Sequence, residues 1–413
     1  MFEQYKYIYT FIFFPVFVIF SWALLNSNKL KCKKEILIWL LISIMSLTLL
    51  IKYFTDFRYL NNLKESPAHT LGSDVYSKLG LFGGNIIFFI INSIENPKYS
   101  NNKEIEELDE SILNKKTGYN NIILILGESS LRSHYSIYGY NLNTTPNLST
   151  LLTNKNSCTI DNAHSAAAIT RDSLAMTLSF HIPESEAKLF NKKSIIELSK
   201  LNNYRSVWIG SQLLKGLHDS KYGFIAKKSN IVKLTNGNDM KTVDLLDYIT
   251  KNRKNKNFII IHLSGSHIPY ENYNDYDKRE LGNVHPYDLT IHHTDNVIGK
   301  IIRVLNKNFS GDYVLIYTSD HGEEIDKGHG FLTGIKQYEV PFISYSPNQS
   351  KEICNLVHKY INESNKLSGL MNKYILAELL GYELDEKIIF NEKNSDRILQ
   401  SDGSVKLYSD LRE

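Results

Sequence analysis

Cysteine is scarce in this chain of 413 residues, which contains only three. Cys32, Cys158 and Cys354 lie far apart, so a scaffold held by many disulfides and a metal site made of four cysteines are both excluded. An excess of charge of one sign is also lacking, because 47 basic residues balance 44 acidic ones to a formal net charge of +3. Without a basic stripe or a base-reading motif, this balance argues against a nucleic-acid-binding protein.

Long apolar runs are confined to the first hundred residues, and the mean hydropathy of −0.26 excludes a chain that crosses a membrane throughout its length. Residues 7–25 form an uncharged run of 19 residues, and residues 36–51 form a second run of 16. Runs of about 17 to 25 apolar residues cross a bilayer as helices. We therefore predict a transmembrane anchor of two helices over residues 1–54. No A-x-A cleavage site follows the first run, which argues against a cleaved signal peptide.

The charges around the two predicted spans indicate their orientation. Residues 29–34, between the spans, contain four lysines, and short basic loops mark the cytoplasmic side. The chain after the second span is then extracytoplasmic. A third run, residues 79–94, is interrupted by glycine and asparagine, and we interpret it as an interfacial helix within a connector over residues 55–119. If that run crossed the membrane instead, the rest of the chain would be cytoplasmic.

From residue 120 onward, short apolar runs alternate with helical patterns. The strand candidates are Asn121–Leu126, Ser206–Ile209, Phe258–Leu263, Tyr313–Tyr317 and Pro341–Tyr345. The helix candidates are Ser194–Leu201, Lys241–Lys251 and Leu289–Leu305. This alternation predicts an α/β domain over residues 120–413, with a mainly parallel sheet sandwiched by helices. Ligands bind such sheets at the carboxyl ends of the strands.

Acidic and imidazole side chains follow three of the predicted strands. Glu128 follows the first strand, His267 comes just beyond the third, and Asp320 and His321 follow the fourth, with His329 shortly afterwards. Carboxylate oxygens and imidazole nitrogens suit a divalent cation such as Zn²⁺ or Mn²⁺. Each residue alone is more typical of a surface position, a turn or a loop than of a metal ligand. Their common position at one sheet edge favours a metal site.

Thr170 is the second candidate centre of chemistry. In the segment Ala163–Phe180 small residues precede Thr170, and a helical pattern follows it. A hydroxyl at the start of a helix faces free backbone N–H groups, which suit a phosphoryl group. A threonine hydroxyl is a weak nucleophile and needs a base or a metal, which the predicted sheet edge supplies. The alternative is that Thr170 only caps the helix.

Together, the segments ILILGESSLRSHYSIYGYNLNTTPNL, AAAITRDSLAMTLSF, HLSGSHIPY and YTSDHGEEIDKGHG resemble the membrane-anchored phosphoethanolamine transferases of Gram-negative bacteria, which are sulfatase-like members of the alkaline phosphatase superfamily. The resemblance implies an alkaline-phosphatase-like fold. It also implies that Glu128, Asp320 and His321 bind zinc, and that Thr170 is the nucleophile and lies at the metal.

The resemblance assigns further roles around the phosphoryl group. His267 and His329 fall where histidines of the family contact the phosphoryl group or the leaving group, so both are candidate catalytic and substrate-binding residues. Arg171 follows the nucleophile, and our hypothesis is that it neutralises a phosphate oxygen. The better-known members carry more spans before the soluble domain, and the two spans here correspond to the end of that region. Their periplasmic domains often carry disulfides, but the sequence leaves the pairing of Cys158 with Cys354 open.

The implied activity is transfer of phosphoethanolamine from phosphatidylethanolamine to lipopolysaccharide, at a core sugar or lipid A, by a protein of the bacterial inner membrane with a periplasmic catalytic domain. Three alternatives are distinguishable. A formylglycine sulfatase needs a C-x-P-x-R motif, whereas TIDN follows Cys158. A phosphoglycerol transferase would use similar residues with phosphatidylglycerol as donor. A catalytically silent membrane-anchored binding protein would not need the full set of candidate residues.

Overall fold

The computed structural model describes residues 105–153, 157–214, 220–252 and 254–412, together with scattered residues between 71 and 99. The chain divides into two units, Met1–Ile91 and Asn92–Glu413. The predicted anchor over residues 1–54 lies outside the described residues. Within the third apolar run, the described residues Gly83, Gly84, Ile86, Ile87 and Ile90 have a helical backbone. Among the described residues, no helix is both long enough and apolar enough to cross a bilayer.

The second unit is built around one large sheet. Its described strands are β1 (Ile112–Lys115), β2 (Asn121–Gly127), β3 (Ser157–Thr159), β4 (Ala163–His164), β5 (Arg205–Gly210), β6 (Ile231–Leu234), β7 (Asn257–His262), β8 (Val314–Ser319), β9 (Phe342–Tyr345), β10 (Leu367–Ser368), β11 (Tyr382–Leu384), β12 (Arg397–Leu399) and β13 (Val405–Leu407). Seven of these form the sheet, in the order β3-β9-β8-β2-β7-β5-β6, and the others form the pairs β1–β11, β4–β10 and β12–β13.

Helices cover both faces of this sheet. The described α-helices are α1 (Pro146–Thr153), α2 (Thr170–Leu178), α3 (Ala187–Asn191), α4 (Ile195–Leu201), α5 (Ser220–Ala226), α6 (Met240–Lys251), α7 (Asp275–Leu281), α8 (Pro286–Phe309), α9 (Ser350–His358), α10 (Asn372–Leu379) and α11 (Glu386–Lys393). All three helix candidates are confirmed as α4, α6 and α8. Ser194 caps α4, because its side chain accepts a hydrogen bond from Glu197 N.

The alternation of side chains along β2 explains the layered architecture. Ile122, Leu124 and Leu126 belong to one apolar core, whereas Ile123 and Ile125 belong to a second core on the opposite face. Successive residues of a strand point to opposite faces, so an uninterrupted apolar run requires cover on both sides. Helices α2, α4, α9 and α10 contribute to the first core, and α6 and α8 contribute to the second.

The prediction of a mainly parallel sheet needs correction at one edge. Strands β8, β2, β7, β5 and β6 are parallel, but β9 runs antiparallel to β8, and β3 runs antiparallel to β9. A parallel neighbour requires a crossover that returns the chain to the opposite edge, usually through a helix. The segment between β8 and β9 contains no α-helix, so β9 starts at the edge where β8 ends and runs back. The sheet is therefore mixed.

Cys158 and Cys354 form a disulfide, with their Cα atoms 5.5 Å apart. It joins the edge strand β3 to helix α9 across a sequence separation of 196 residues. The Nε2 atom of His358, one turn along α9, lies 3.6 Å from Cys158 Sγ and 3.7 Å from Cys354 Sγ. Disulfides of this kind persist in oxidising compartments.

We expect the double substitution Cys158→Ser/Cys354→Ser to lower the melting temperature of the full chain. A cross-link that closes so long a loop restricts the unfolded chain, and losing a native disulfide costs about 2–5 kcal/mol. Thermal melts in detergent would measure the change, with Cys32→Ser as the control that keeps the disulfide. Equal melting temperatures for the double variant and the wild type would contradict the structural role of the cross-link.

At two buried histidines of the second unit, His164 and His181, burial outweighs the nearby carboxylates, which are Asp396 for His164 and Asp172 and Glu186 for His181. Burial is the main cause that lowers the pKa of His164 and of His181 to about 4. The ring of His164 stacks on Tyr408 with centroids 4.0 Å apart, and His181 Nδ1 lies 2.9 Å from Ser185 O. The Nε2 atoms of both histidines make no hydrogen bond. These sites therefore favour neutral imidazole.

We expect the fold to lose stability as the pH falls from 6.5 towards 4. The unfolded chain protonates these histidines near the ordinary pKa of 6.5, whereas the folded chain does so only near 4. Because the unfolded state binds more protons in this window, stability present above pH 6.5 is lost, by up to about 3 kcal/mol for each histidine. Urea denaturation at several pH values would show a shallower slope for His181→Gln. The exposed His358→Gln is the control, and equal slopes for all three proteins would refute the assignment.

Candidate active site

The register of the sheet brings three candidate residues together. Leu126 pairs with His262 on β7 and Gly127 pairs with Ser319 on β8, so the carboxyl ends of β2, β7 and β8 lie side by side. Glu128 follows β2 directly. Asp320 and His321 follow β8 directly, and the relative accessibility of all three residues is 0–1%.

Thr170 reaches the same point from the first residue of α2. Three buried alanines, at positions 166–168, precede it and allow the chain to pack closely against the sheet. Ser173, one turn into α2, donates a hydrogen bond of 2.5 Å from its hydroxyl to Asp320 O, and this bond ties the helix to the end of β8. The half-buried Thr170 hydroxyl is therefore held beside the buried carboxylates.

Four distances between the donor atoms match the spacing in a tetrahedral metal site. Thr170 Oγ1 lies 3.2 Å from Glu128 Oε2 and 3.2 Å from His321 Nε2. His321 Nε2 lies 3.3 Å from Asp320 Oδ2 and 3.4 Å from Glu128 Oε1. Zinc with nitrogen and oxygen donors at about 2.0–2.1 Å holds these donors roughly 3.3 Å apart in a tetrahedron. Glu128, Asp320 and His321 thus fit a zinc ion, with the threonine hydroxyl at the fourth corner.

The electrostatics of the cluster also favour a cation. Burial raises the pKa of Glu128, but the nearby His321, His267 and His329 and the Gln212 amide more than offset this and lower it to about 2. Burial and the adjacent Glu128 raise the pKa of Asp320 well above its ordinary value. Asp320 Oδ2 is buried and makes no hydrogen bond. A dication would allow both carboxylates to ionise and would satisfy this oxygen.

Neighbouring groups fix the orientation of Glu128. Ser129 Oγ donates to Glu128 Oε1 at 2.9 Å, and Gln212 Nε2 donates to Glu128 Oε2 at 2.7 Å. Gly265 approaches the backbone of Glu128 so closely, with a φ of +51°, that a Cβ atom there would lie 2.6 Å from Glu128 O. Only glycine fits this contact.

His267 and His329 lie at the rim of the cluster. Their ring centroids are 5.5 Å apart, and the centroid of His329 lies 4.1 Å from that of His321. The buried Glu323 accepts from His329 Nδ1 at 2.9 Å, and it also accepts from the Tyr270 hydroxyl at 3.2 Å. Because Nδ1 is held in this way, Nε2 is the nitrogen of His329 that is left for a substrate.

Arg171 lies next to Thr170 in the chain, and its guanidinium contacts a carboxylate. Arg171 Nη2 lies 3.3 Å from Asp172 Oδ2, and the buried Lys221 Nζ lies 2.8 Å from Asp172 Oδ1. Lys221 also lies 3.2 Å from Glu186. These ion pairs anchor the start of α2. The role of Arg171 as a phosphate ligand stays a prediction.

The structure therefore gathers the predicted residues at one edge and adds two that the sequence analysis did not single out. Gln212 follows β5, so the rule of searching after each strand could have found it. Glu323 lies in the run SDHGEE, but only the three-dimensional structure shows that it holds His329. His321, Glu323 and His329 also bring three potential ligand atoms within 4.8 Å of one another.

An α/β sheet that carries a threonine, two carboxylates and a histidine at its carboxyl edge defines the alkaline-phosphatase-like class of proteins. The family described as Sulfatase matches residues 120–373, more than half of the chain, and the chain belongs to that family.

The similarity to phosphoethanolamine transferases is confirmed by sequence. The chain is 29% identical over 297 residues to phosphoethanolamine transferase EptA of Helicobacter pylori, a match that covers 64% of this chain and 54% of the relative. It is 26% identical over 231 residues to phosphoethanolamine transferase EptC of Escherichia coli, covering 49% and 40%. The chain thus spans about half the length of the relatives it matches, or less.

Solved structures confirm the fold. The C-terminal periplasmic domain of EptC from Escherichia coli, in complex with Zn, has a TM-score of 0.64 at 19% identity, covering 75% of this chain and 98% of that one. The integral membrane protein EptA from Neisseria meningitidis, a lipooligosaccharide phosphoethanolamine transferase, has a TM-score of 0.55 at 18% identity, covering 84% and 70%.

Proposed function

We propose that this chain transfers phosphoethanolamine from phosphatidylethanolamine to a lipopolysaccharide acceptor, through a covalent intermediate on Thr170. The observation that carries the proposal is the position of Thr170 Oγ1, 3.2 Å from both Glu128 Oε2 and His321 Nε2. The relatives named phosphoethanolamine transferase, and the Zn complex of the EptC domain, support this activity and zinc as the metal.

Glu128, Asp320 and His321 would hold the zinc ion. When bound, zinc would lower the pKa of the Thr170 hydroxyl and would supply positive charge that stabilises the phosphoryl oxygens. In the first step Thr170 Oγ1, whose proton has already passed to solvent, attacks phosphorus, and the bond between phosphorus and the diacylglycerol oxygen breaks. His329 Nε2, with Nδ1 held by Glu323, delivers the proton that the departing oxygen needs, with His267 as the alternative donor.

In the second step an acceptor oxygen attacks the phosphothreonine. The same histidine takes up the proton of the acceptor hydroxyl, and Thr170 is regenerated. Thr170 starts α2, so the free backbone N–H groups of that helix face the phosphoryl group in both steps. Glu323 keeps one tautomer of His329 throughout, which suits alternation between acid and base.

We further propose an inner-membrane protein whose catalytic domain lies in the periplasm. The Cys158–Cys354 disulfide supports an oxidising compartment. The two apolar runs before residue 54 support an anchor that keeps the site near a lipid donor. Arg171 is proposed to bind a phosphate oxygen if its contact with Asp172 opens.

The direct test is mass spectrometry of lipopolysaccharide from cells with and without the gene. We expect a mass increase of one phosphoethanolamine unit when the wild-type chain is present, and none with Thr170→Ala. Fragmentation would place the group on lipid A or on a core sugar. An increase of one phosphoglycerol unit would instead assign phosphatidylglycerol as donor, and no change would refute the proposal.

A further inference from the structure

A pocket of about 440 Å³ adjoins the candidate active site. Gln212 and His267 belong to both, since Gln212 holds Glu128 and His267 lies beside His329. The residues that line the pocket include Gln212, Ser264, His267, Glu271 and Asn272. A substituent on a phosphoryl group bound at Thr170 would have this pocket within reach.

The amide side chains of the pocket are oriented by their hydrogen bonds. Asn272 Nδ2 donates to Asp239 Oδ2 at 2.5 Å and to Gly265 O at 3.0 Å. Gln212 Nε2 donates to Glu128 Oε2 at 2.7 Å and to Leu263 O at 3.0 Å. Each amide nitrogen carries two hydrogens, so both donors are used on each side chain. The carbonyl oxygens of the two side chains are left to accept from a ligand.

Asp239 holds in place the backbone and the Asn272 side chain that form one wall of the pocket. Its buried carboxylate accepts from Ser264 N at 2.8 Å and from Gly265 N at 3.0 Å, in addition to Asn272. The wall of the pocket is therefore held by a buried carboxylate whose hydrogen bonds are made within the protein.

Glu271 supplies the carboxylate that lines the pocket itself, in addition to the buried Asp239 behind its wall. Among the described lining residues, Glu271 is the one carboxylate, and neither lysine nor arginine is present. Its side chain is exposed. A pocket that combines a carboxylate with two amide oxygens accepts hydrogen bonds and attracts a cation.

We infer that this pocket binds the primary ammonium of the donor head group and that Glu271 is its counter-charge. The inference rests on the proposed function and adds the residues that select the donor. A primary ammonium carries three N–H donors, which match the carboxylate and the two amide oxygens. A glycerol head group has no charge to pair with Glu271. A trimethylammonium group has the charge but no N–H donor and needs more room.

The test compares the full-length wild type with Glu271→Gln, in detergent with lipid vesicles and lipopolysaccharide. Transfer is measured from phosphatidylethanolamine, its N-methyl and N,N-dimethyl forms, phosphatidylcholine and phosphatidylglycerol. Turnover of bis(p-nitrophenyl) phosphate, which has no ammonium, reports the phosphoryl chemistry by itself. Glu280→Gln, at an exposed carboxylate on the nearby helix α7, is the matched control.

We expect wild-type transfer to fall along the methylation series. In Glu271→Gln the ratio of phosphatidylethanolamine transfer to diester turnover should fall about tenfold, because a charge-assisted hydrogen bond is lost. The effect should appear in KM, and the preference over phosphatidylglycerol should shrink. Glu280→Gln should keep the wild-type ratio.

The outcomes separate this inference from the proposed function. If the wild type transfers phosphoethanolamine and Glu271→Gln keeps the full preference, the ammonium site is wrong and the proposed function stands. If the wild type turns over the diester but prefers phosphatidylglycerol, both are wrong. If the preference is lost equally in Glu280→Gln, the effect is one of surface charge and the ammonium site is again refuted.

Discussion

We expect Thr170→Ala to lose transfer by about 10³-fold or more, because removing a nucleophile that acts with its partners as a unit costs rate of this order. In the proposed mechanism the hydroxyl is the group that bonds to phosphorus, and alanine offers no replacement. The assay is release of diacylglycerol from phosphatidylethanolamine by the zinc-loaded full chain, followed by mass spectrometry for phosphoethanolamine bound to Thr170.

Thr170→Ser is the matched variant for this result. It keeps the hydroxyl at the start of α2 and loses only a methyl group, so measurable transfer should remain. Near-ultraviolet circular dichroism of both variants should equal that of the wild type, because Thr170 is half-buried and lies outside the two apolar cores. Transfer by Thr170→Ala at the wild-type rate would assign the chemistry to another group.

Asp320→Asn should have opposite effects on metal binding and on the stability of the metal-free fold. The amide keeps the shape and can still accept from Ser129 N and His321 N, which lie 3.1 Å and 2.7 Å from Asp320 Oδ1. It removes one of the two anionic ligands, so we expect zinc affinity to fall at least about 100-fold, beyond the 10- to 100-fold typical of losing an outer-shell partner. Transfer should fall with zinc occupancy.

In the absence of metal the same substitution should raise the melting temperature. Burial and Glu128 hold the pKa of Asp320 well above its ordinary value. As the pH rises above that ordinary value, the unfolded chain loses this proton while the folded chain retains it, so the free energy of unfolding falls. Asparagine does not titrate, and the substitution therefore removes this loss of stability. Titration with zinc and melts of chelated protein would measure both effects. Asp244→Asn, at an exposed carboxylate on α6, should change neither. A metal-free Asp320→Asn protein that is less stable than the metal-free wild type would contradict the electrostatic picture.

The central part of the fold was predictable because burial on both faces leaves a direct trace in the sequence. Residues 121–126 form an unbroken apolar run, and a strand that alternates between two cores needs such a run. The strands at the edges of the sheet have a weaker pattern in the sequence. Strands β3 and β6 are short and partly polar, and they exist through pairing with neighbours. The direction of β9 depends on the path of the preceding loop, which composition does not reveal.

The residues of the candidate site divide in the same way into those that the sequence indicates and those that only the structure shows. Glu128, Asp320 and His321 follow strands, so the rule for parallel sheets led to them. The small residues before Thr170 and the helical pattern after it made Thr170 a candidate, and the resemblance gave it the role of nucleophile. The disulfide and the role of Glu323 required spatial knowledge, because each depends on which side chain lies opposite. Cys158 and Cys354 are 196 positions apart, and no spacing rule connects residues at that distance.

Glu128 and His321 directly follow strands β2 and β8. In the sequence, most of the second unit lies between these two strands. Neither donor meets the other until both strands have entered the sheet, so a nascent or unfolded chain has no place for the ion. If the proposed zinc ion binds there, its uptake requires this part of the sheet to be assembled and takes place in the compartment where folding is completed. The zinc supply of that compartment, rather than the supply at the ribosome, would decide how many copies of the protein become active.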